Sequence, residues 1–222
     1  MQQVVIIGAG GQARSTLSFF DAINAQQPTY DVQGFIVEAP YGAPGTMVND
    51  KPILGGLEWF TEQRRRDVQA VCAIGAPEVR RRIVKQARAL GIRFCTVIHP
   101  TAVLSRWVTI GEGTIITPGV VMTQRIQIGA HVYLNLSCTI GHDSVIEDYV
   151  NVQPGAHVSG NVHLGEGCVI GVGANIIEKK TVGAWSIVGA GSTIIQDVPP
   201  NTTVVGSPGR IVKTRPEGWH LA

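Results

Sequence analysis

LSRWVTIGEGTIITPGVVMTQRIQIGAHVYLNLSCTIGHDSVIEDYVNVQPGAHVSGNVHLGEGCVIGVGANIIEKKTVGAWSIVGAGSTI, residues 104–194, carries an aliphatic side chain at every sixth position. Leu104, Ile110, Ile116, Met122, Ile128, Leu134, Ile140, Ile146, Val152, Val158, Leu164, Ile170, Ile176, Val182, Val188 and Ile194 make sixteen out of sixteen, in a chain that is 44% hydrophobic. Chance does not produce that run. Glycine follows the aliphatic residue at Gly111, Gly129, Gly141, Gly165, Gly171, Gly183 and Gly189. A small or β-branched residue often sits two places before it, as at Ala102, Thr114, Cys138, Ser144, Ala156, Cys168, Ala174 and Ser186. A fixed six-residue period is the signature of a parallel β-helix of hexapeptide repeats.

Three hexapeptides make one triangular coil, so residues eighteen apart stack at the ~4.8 Å spacing of neighbouring strands. Five coils result, about 24 Å tall by the same spacing. The aliphatic residue points to the axis, and stacking supplies a core that one repeat cannot bury alone. Asp197-Val198-Pro199-Pro200 ends the period, and residues 201–222 are expected to cap the last coil. Lys180 stands where a small inward residue is usual, and is expected to mark a bulge or to snorkel outward. The unbroken period predicts no excursion loop between Leu104 and Ile194.

Upstream of the repeat the pattern changes. Val4 to Ile7 is an apolar run ending in Gly8-Ala9-Gly10-Gly11-Gln12-Ala13, followed by Leu17, Phe19, Phe20 and Ile23 at roughly helical spacing. Further strands are expected at Val32 to Val37, Val68 to Ile74 and Phe94 to Ile98, with a helix from Pro77 to Leu90 that opens on proline and closes at Gly91. Ala39 to Gly56, rich in Pro, Gly, Asn and Asp, reads as a loop. Alternating strands and helices imply a small Rossmann-like parallel α/β sheet. The expected organisation is therefore residues 1–99 as an α/β domain, 100–200 as the β-helix and 201–222 as the tail.

A net charge of +2 argues against a nucleic-acid binder, and the arginine runs Arg64 to Arg66 and Arg80 to Arg82 read as solvated helix faces. Cys72, Cys95, Cys138 and Cys168 form no C-x-x-C pair, which suggests reduced, buried thiols. The chain opens directly into a strand, and no apolar run approaches the ~18 residues of a membrane span. A soluble, unprocessed cytoplasmic protein is the expectation.

Two features could carry chemistry. Gly8, Gly10 and Ala13 fit G-x-G-x-x-A, with Glu38 ending the second strand as an acceptor for a ribose hydroxyl. The following helix offers free N–H groups and a positive dipole end to a phosphate, although glycines that merely turn the chain would look the same. About a hundred residues is half a dinucleotide fold and favours a mononucleotide portion. Of the histidines, His131, His157 and His163 fall on outward positions and read as solvated. His142 follows Ile140-Gly141 at a corner beside Asp143. A carboxylate beside an imidazole fixes its tautomer and raises its basicity, as a general base needs. A surface residue is the plainer account of His142 from the residues alone.

Residues Leu134 to Gly165, with the opening VVIIGAGGQAR, the later AIGAPEVRRRI, the VIHPTAV junction and the closing VVGSPGRIV, resemble the bacterial sugar acyltransferases that include sialic acid O-acetyltransferases and bacillosamine and perosamine N-acetyltransferases. The similarity covers nearly the whole chain. It implies a left-handed β-helix, a homotrimer with sites between subunits, acetyl-CoA as co-substrate and no metal. It places the base on His142, the acid beside it on Asp143 and an upstream asparagine on Asn135. The thioester contact, histidine in some relatives, falls on Asn151. Gly160, eighteen residues from His142 and so one coil from it, is expected to offer its backbone N–H to the thioester oxygen as an oxyanion donor. Pantetheine contacts fall on Val172 and Ala190. In the α/β domain the matching positions are Gly10, Gly11, Gln12, Val37, Glu38 and Gly75, where many relatives carry histidine for Gln12 and two acids for Val37-Glu38.

The function so implied is acetyl-CoA-dependent N-acetylation of a nucleotide-linked 4-amino-4,6-dideoxy sugar for a surface glycan. O-acetylation of the sialic acid type would use the same base. A zinc enzyme of the γ-carbonic anhydrase kind predicts stoichiometric metal, an NAD-dependent enzyme predicts nicotinamide binding, and a purely structural solenoid predicts no binding of any CoA derivative.

Overall fold

The computed structural model describes residues 1–62 and 67–221, in two compact units, Met1–Pro100 and Thr101–Ala222. The run Arg64 to Arg66 lies outside the described residues.

In the first unit, β1 (Gln2–Ile7), α1 (Gly11–Gln26), β2 (Tyr30–Ile36), β3 (Met47–Val48), β4 (Lys51–Gly55), α2 (Glu58–Glu62), β5 (Gln69–Cys72), α3 (Pro77–Ala89) and β6 (Arg93–Phe94) follow in order. The sheet runs β3-β4-β2-β1-β5-β6, parallel except where β3 meets β4. β1 lies between β2 and β5, and Val4, Val5, Ile6 and Ile7 are buried. A strand covered on both faces has no solvent side, so an unalternating apolar run occupies this position. α3 has Pro77 at its first turn and Gly91 beyond its end at φ 77°.

Three expectations need correction here. The stretch from Ala39 to Gly56 is not all loop. Its second half is a hairpin, β3 to β4, turning at Asn49 with φ 51°, and β4 joins β2 in parallel. The expected strand Phe94 to Ile98 is broken into Arg93–Phe94 and Val97–Ile98. Arg80 is buried, at 1% exposure, because its Nη1 donates to the Ile74 carbonyl at 2.8 Å.

The second unit is a left-handed parallel β-helix. Short strands pair at a register of eighteen residues, as in Val121↔Thr139, Thr139↔His157 and His157↔Asn175. They form three faces of a prism. The register continues from Val103–Leu104 to Thr193–Ile194 with no inserted loop. Fourteen of the sixteen aliphatic residues are buried on the axis, while Leu104 and Ile110 at the open first coil are partly buried. Each fully buried side chain of this size contributes roughly 1.5–3 kcal/mol. Lys180 marks no bulge, since His163 and Leu164 pair with Thr181 and Val182 in register. It is half exposed, as a snorkelling lysine would be.

The inward small residues do more than give way at the turn. Ser144 Oγ donates to Ser159 O at 3.1 Å and accepts from Val162 N at 3.2 Å, and Thr114 and Ser186 repeat the arrangement in other coils. These hydroxyls satisfy backbone groups that the turn takes out of the ladder. The turns themselves place one residue per corner in the left-handed region, glycine in many coils but Arg125, His131, Asp143, Tyr149, Asn161 and Trp185 in others. Such a conformation costs a side-chain-bearing residue roughly 1–2 kcal/mol.

His131 departs from its expected solvated position. It is fully buried and stacks on Tyr149, centroids 5.5 Å apart and planes 7° from parallel. Beyond the period, Thr202–Val205 adds a parallel strand beside Ile187–Val188, and Arg210–Thr214 folds back antiparallel on it. Trp219–Leu221 forms a final short turn that brings His220 onto Trp185, centroids 3.8 Å apart.

Candidate active site

His142 and Asp143 occupy one corner of the prism. Asp143 takes φ 59°, a conformation aspartate tolerates better than most residues. Its carboxylate accepts at His142 Nδ1 across 2.9 Å through Oδ2, and its Oδ1 meets Arg125 Nε at 3.3 Å. With Nδ1 as donor, Nε2 is the basic nitrogen of the ring. His142 is open, its side chain 57% exposed.

Gly160 lies directly against that ring. A Cβ built there would fall 2.7 Å from His142 Nε2 and Cε1, so only glycine leaves the imidazole its place. The Gly160 N–H donates no hydrogen bond among the described residues. An amide N–H left free on the residue that packs against the base is an available donor for a developing oxyanion.

Asn135 sits at the preceding corner. Its Oδ1 accepts from Leu136 N at 2.8 Å and its Nδ2 donates to Gln153 Oε1 at 3.2 Å. Val172 and Ala190 stand eighteen apart on that same corner, and their amide N–H groups also donate no hydrogen bond among the described residues. The two corners border one face, built by Thr139–Ile140, His157–Val158, Asn175–Ile176 and Thr193–Ile194. Asn151 is not brought to them. It is nine residues from His142, half a coil away, and is buried at 1% exposure.

In the α/β unit the glycine turn opens α1. Gly8 adopts φ 105° and its N–H donates to Ile36 O at 2.9 Å. Gly10 caps α1 with no side-chain bond, and the first turn carries no acid. A Cβ at Gly10 or Gly11 would meet nothing within 4 Å, so the helix N-terminus faces open space. That arrangement suits an anionic group. Gln12 turns its Oε1 toward Gly75, and its Nε2 is buried with no hydrogen-bond partner among the described residues. Val37 is buried. Glu38 is committed in part to the fold, its Oε1 accepting from Leu57 N at 3.0 Å just ahead of α2.

Comparison with known proteins agrees with both units. The PglD N-terminal domain model matches residues 3–87. GDP-perosamine N-acetyltransferase of Escherichia coli O157:H7 is 33% identical over 217 residues, 95% of this chain and 96% of that one. The chain belongs to this family of bacterial sugar acyltransferases. Perosamine N-acetyltransferase from Caulobacter crescentus, solved with CoA and GDP-perosamine, matches this acyltransferase with a TM-score of 0.86 at 30% identity, covering 95% of this chain and 97% of that one. The acetyltransferase domain of PglB from Neisseria gonorrhoeae FA1090, solved with acetyl coenzyme A, gives a TM-score of 0.86 at 29% identity, covering 95% and 99%.

The chemistry available to this acyltransferase is narrowed by its other nucleophiles. Cys72, Cys95, Cys138 and Cys168 are free and buried. Burial pushes Cys72, Cys95 and Cys138 up to about 12 and Cys168 higher still, so none offers a thiolate near neutral pH. Among the described residues no group of three His, Cys, Asp or Glu could hold a metal ion, and no helix is long and apolar enough to cross a membrane. His157 and His163 are exposed, His157 Nδ1 lying 3.0 Å from Thr139 Oγ1 and His163 Nε2 2.7 Å from Glu147 Oε1.

Arg125 is the residue that sequence reasoning missed at this site. Its signal was available in the repeat, because 125 and 143 differ by one coil.

Proposed function

We propose that this acyltransferase moves an acetyl group from acetyl-CoA to the amino group of a nucleotide-linked 4-amino-4,6-dideoxy sugar. The observation that carries the reading is the His142–Asp143 pair held against Gly160. The α/β unit would hold the nucleotide at the α1 N-terminus, near Gly10, Gly11, Gln12 and Gly75, with Val37 and Glu38 at its edge. Acetyl-CoA would lie along the prism face bordered by the His142 and Val172 corners, its pantetheine against backbone at Val172 and Ala190.

In that arrangement His142 Nε2 takes the proton from the attacking amine as the nitrogen bonds to the thioester carbon. Asp143 holds the Nδ1–H tautomer and stabilises the imidazolium that results. The Gly160 N–H donates to the thioester oxygen as its charge develops, and the protonated imidazole supplies a proton to the departing thiolate. Asn135, anchored by Leu136 and Gln153, lies on the opposite border of the face.

Half a coil separates Asn151 from His142 and Asn151 is buried within its own coil, so this reading gives it no contact with the thioester. A homotrimer with sites between solenoids is the assembly this reading requires, and a monomeric form should be inactive.

The test is thiol release from acetyl-CoA with UDP-, GDP- and dTDP-linked amino sugars and their hydroxy counterparts. Acetylation of an amino sugar, with kcat falling about 10²–10⁴-fold in His142→Ala, is expected. Turnover of hydroxy acceptors alone would make the protein an O-acetyltransferase. Retention of most of kcat in His142→Ala would overturn the general-base mechanism.

A further inference from the structure

Asp143 divides its carboxylate between two partners, and only one of them is the base. Its Oδ2 accepts from His142 Nδ1 at 2.9 Å, while its Oδ1 meets Arg125 Nε at 3.3 Å. Arg125 and Asp143 occupy the same corner position one coil apart, with φ 55° and 59°, so their side chains leave the prism in the same direction at the ~4.8 Å spacing of neighbouring strands. The backbone ties the two corners together as well, since Asp143 N donates to Gln124 O at 3.0 Å.

The fold has little use for this arginine. Its side chain is 78% exposed, and an exposed ion pair contributes little to stability. Its left-handed backbone is a cost that asparagine, found at the same corner position as Asn161 with φ 55°, bears more easily. Inward packing of the coil is carried instead by Ile126 and Ile128. What Arg125 does fix is the plane of a carboxylate. The side chains of Asp143 and His142 are 37% and 57% exposed, so water competes for both ends of their bond. A carboxylate held through one oxygen can turn and exchange the imidazole for water. One held through both oxygens must first give up a second charge-assisted bond. On its other side the ring packs against Gly160 near Nε2 and Cε1, which sets its position but not its tautomer.

We infer that Arg125 is a positioning residue, which holds the Asp143 carboxylate so that Oδ2 keeps His142 in the Nδ1–H tautomer with Nε2 bare. The inference rests on the acetyl-transfer reading above and deepens it, because only a bare Nε2 takes the proton of the attacking amine. Arg125 touches no reacting atom and enters no proton transfer. The sign of its effect separates two roles. A guanidinium charge opposes the imidazolium that forms, so a purely electrostatic arginine slows the step, whereas a positioning arginine speeds it.

Arg125→Gln, Arg125→Lys, Asp143→Asn and the Arg125→Gln/Asp143→Asn double variant are compared with wild type by steady-state kinetics and melting curves. In Arg125→Gln, kcat should fall about tenfold, a part of the roughly 10²-fold that a displacement of ~1 Å can cost. Both KM values should stay within about twofold of wild type and the thermal midpoint within a few degrees. Arg125→Lys should recover part of the loss. With the carboxylate gone in Asp143→Asn, adding Arg125→Gln should change kcat by less than about twofold. An unchanged or raised kcat in Arg125→Gln would overturn the inference, as would an equal loss in both backgrounds or no recovery with Arg125→Lys. A change confined to KM would also overturn it, placing Arg125 on a substrate. The tautomer is read apart from turnover, by 15N NMR of the neutral His142 ring, whose signals are assigned by their loss in His142→Ala. The Nδ1–H form should dominate in wild type and give way toward Nε2–H in Arg125→Gln, and the same ratio in both proteins would remove the positioning role. Retention of kcat in His142→Ala would instead sink the general-base mechanism, and the tautomer ratio then decides for or against Arg125 by itself.

Discussion

At the scale of single residues, Gly160 is the cleanest probe of the site. Its φ lies outside the left-handed region and alanine suits its backbone, yet a Cβ would stand 2.7 Å from the His142 ring. The ring, being exposed, yields before the fold does. Gly160→Ala should therefore lower kcat by about 10–100-fold, since displacement of a catalytic group by ~1 Å can cost 10²-fold, while the thermal midpoint stays within a few degrees of wild type. Parallel kinetics and melting curves decide this, and an unaltered kcat would detach Gly160 from the chemistry. The adjacency of His142 and Asp143 was legible in the sequence, as was the stacking of Gly160 on His142 by a count of eighteen. The left-handed turn at Asp143 was not, because the same corner position holds arginine, asparagine or lysine in other coils. Arg80 was misread because its run of three arginines suggested a solvated face, while a single carbonyl at Ile74 draws the first of them inside.

At the scale of elements, one corner of the prism is a column of rings and glycines: Gly113, His131, Tyr149, Gly167 and Trp185, one per coil. Glycine occurs where a neighbouring ring takes its space. A Cβ on Gly167 would collide with the Trp185 ring, whereas one on Gly155, at another corner and a similar φ, would meet nothing within 4 Å. Gly155→Ala should thus cost only the left-handed penalty of roughly 1–2 kcal/mol. Gly167→Ala should cost that plus overpacking, on the order of 2–5 kcal/mol in total. Urea denaturation of the two variants side by side measures the difference, and equal losses would refute the packing account. The six-residue period made every strand of the solenoid legible. It misplaced His131, because an outward position at a corner is covered when the next coil contributes a ring, Tyr149, and the coil before it, at Gly113, leaves room for the imidazole. In the α/β unit the hairpin Met47–Val48 to Lys51–Gly55 was hidden by Pro, Gly, Asn and Asp, which are the residues a tight hairpin turn shares with a loop.

At the scale of the whole molecule, the four buried thiols tie stability to alkaline pH. Cys72, Cys95 and Cys138 are raised from 9.0 to about 12 by burial. A raised folded-state value means that their contribution is fully present below about 9 and is lost as pH rises toward 12, because the unfolded chain releases those protons first. The urea midpoint should fall across that interval, and a disulfide reagent at pH 8 should label the thiols only after denaturation. Labelling of the native protein would contradict their burial. The two-part plan of the chain was legible from the change of period near His99-Pro100, whereas the position of Asn151 was not, since a position number says nothing of what covers it. The invariant register of eighteen also sets how this chain can change length. Removing or duplicating eighteen residues within 104–194 restores every face, corner and axial side chain to a neighbour of its own kind. A change that is not a multiple of eighteen rotates all later coils about the axis, so the solenoid can grow or shrink only in whole storeys.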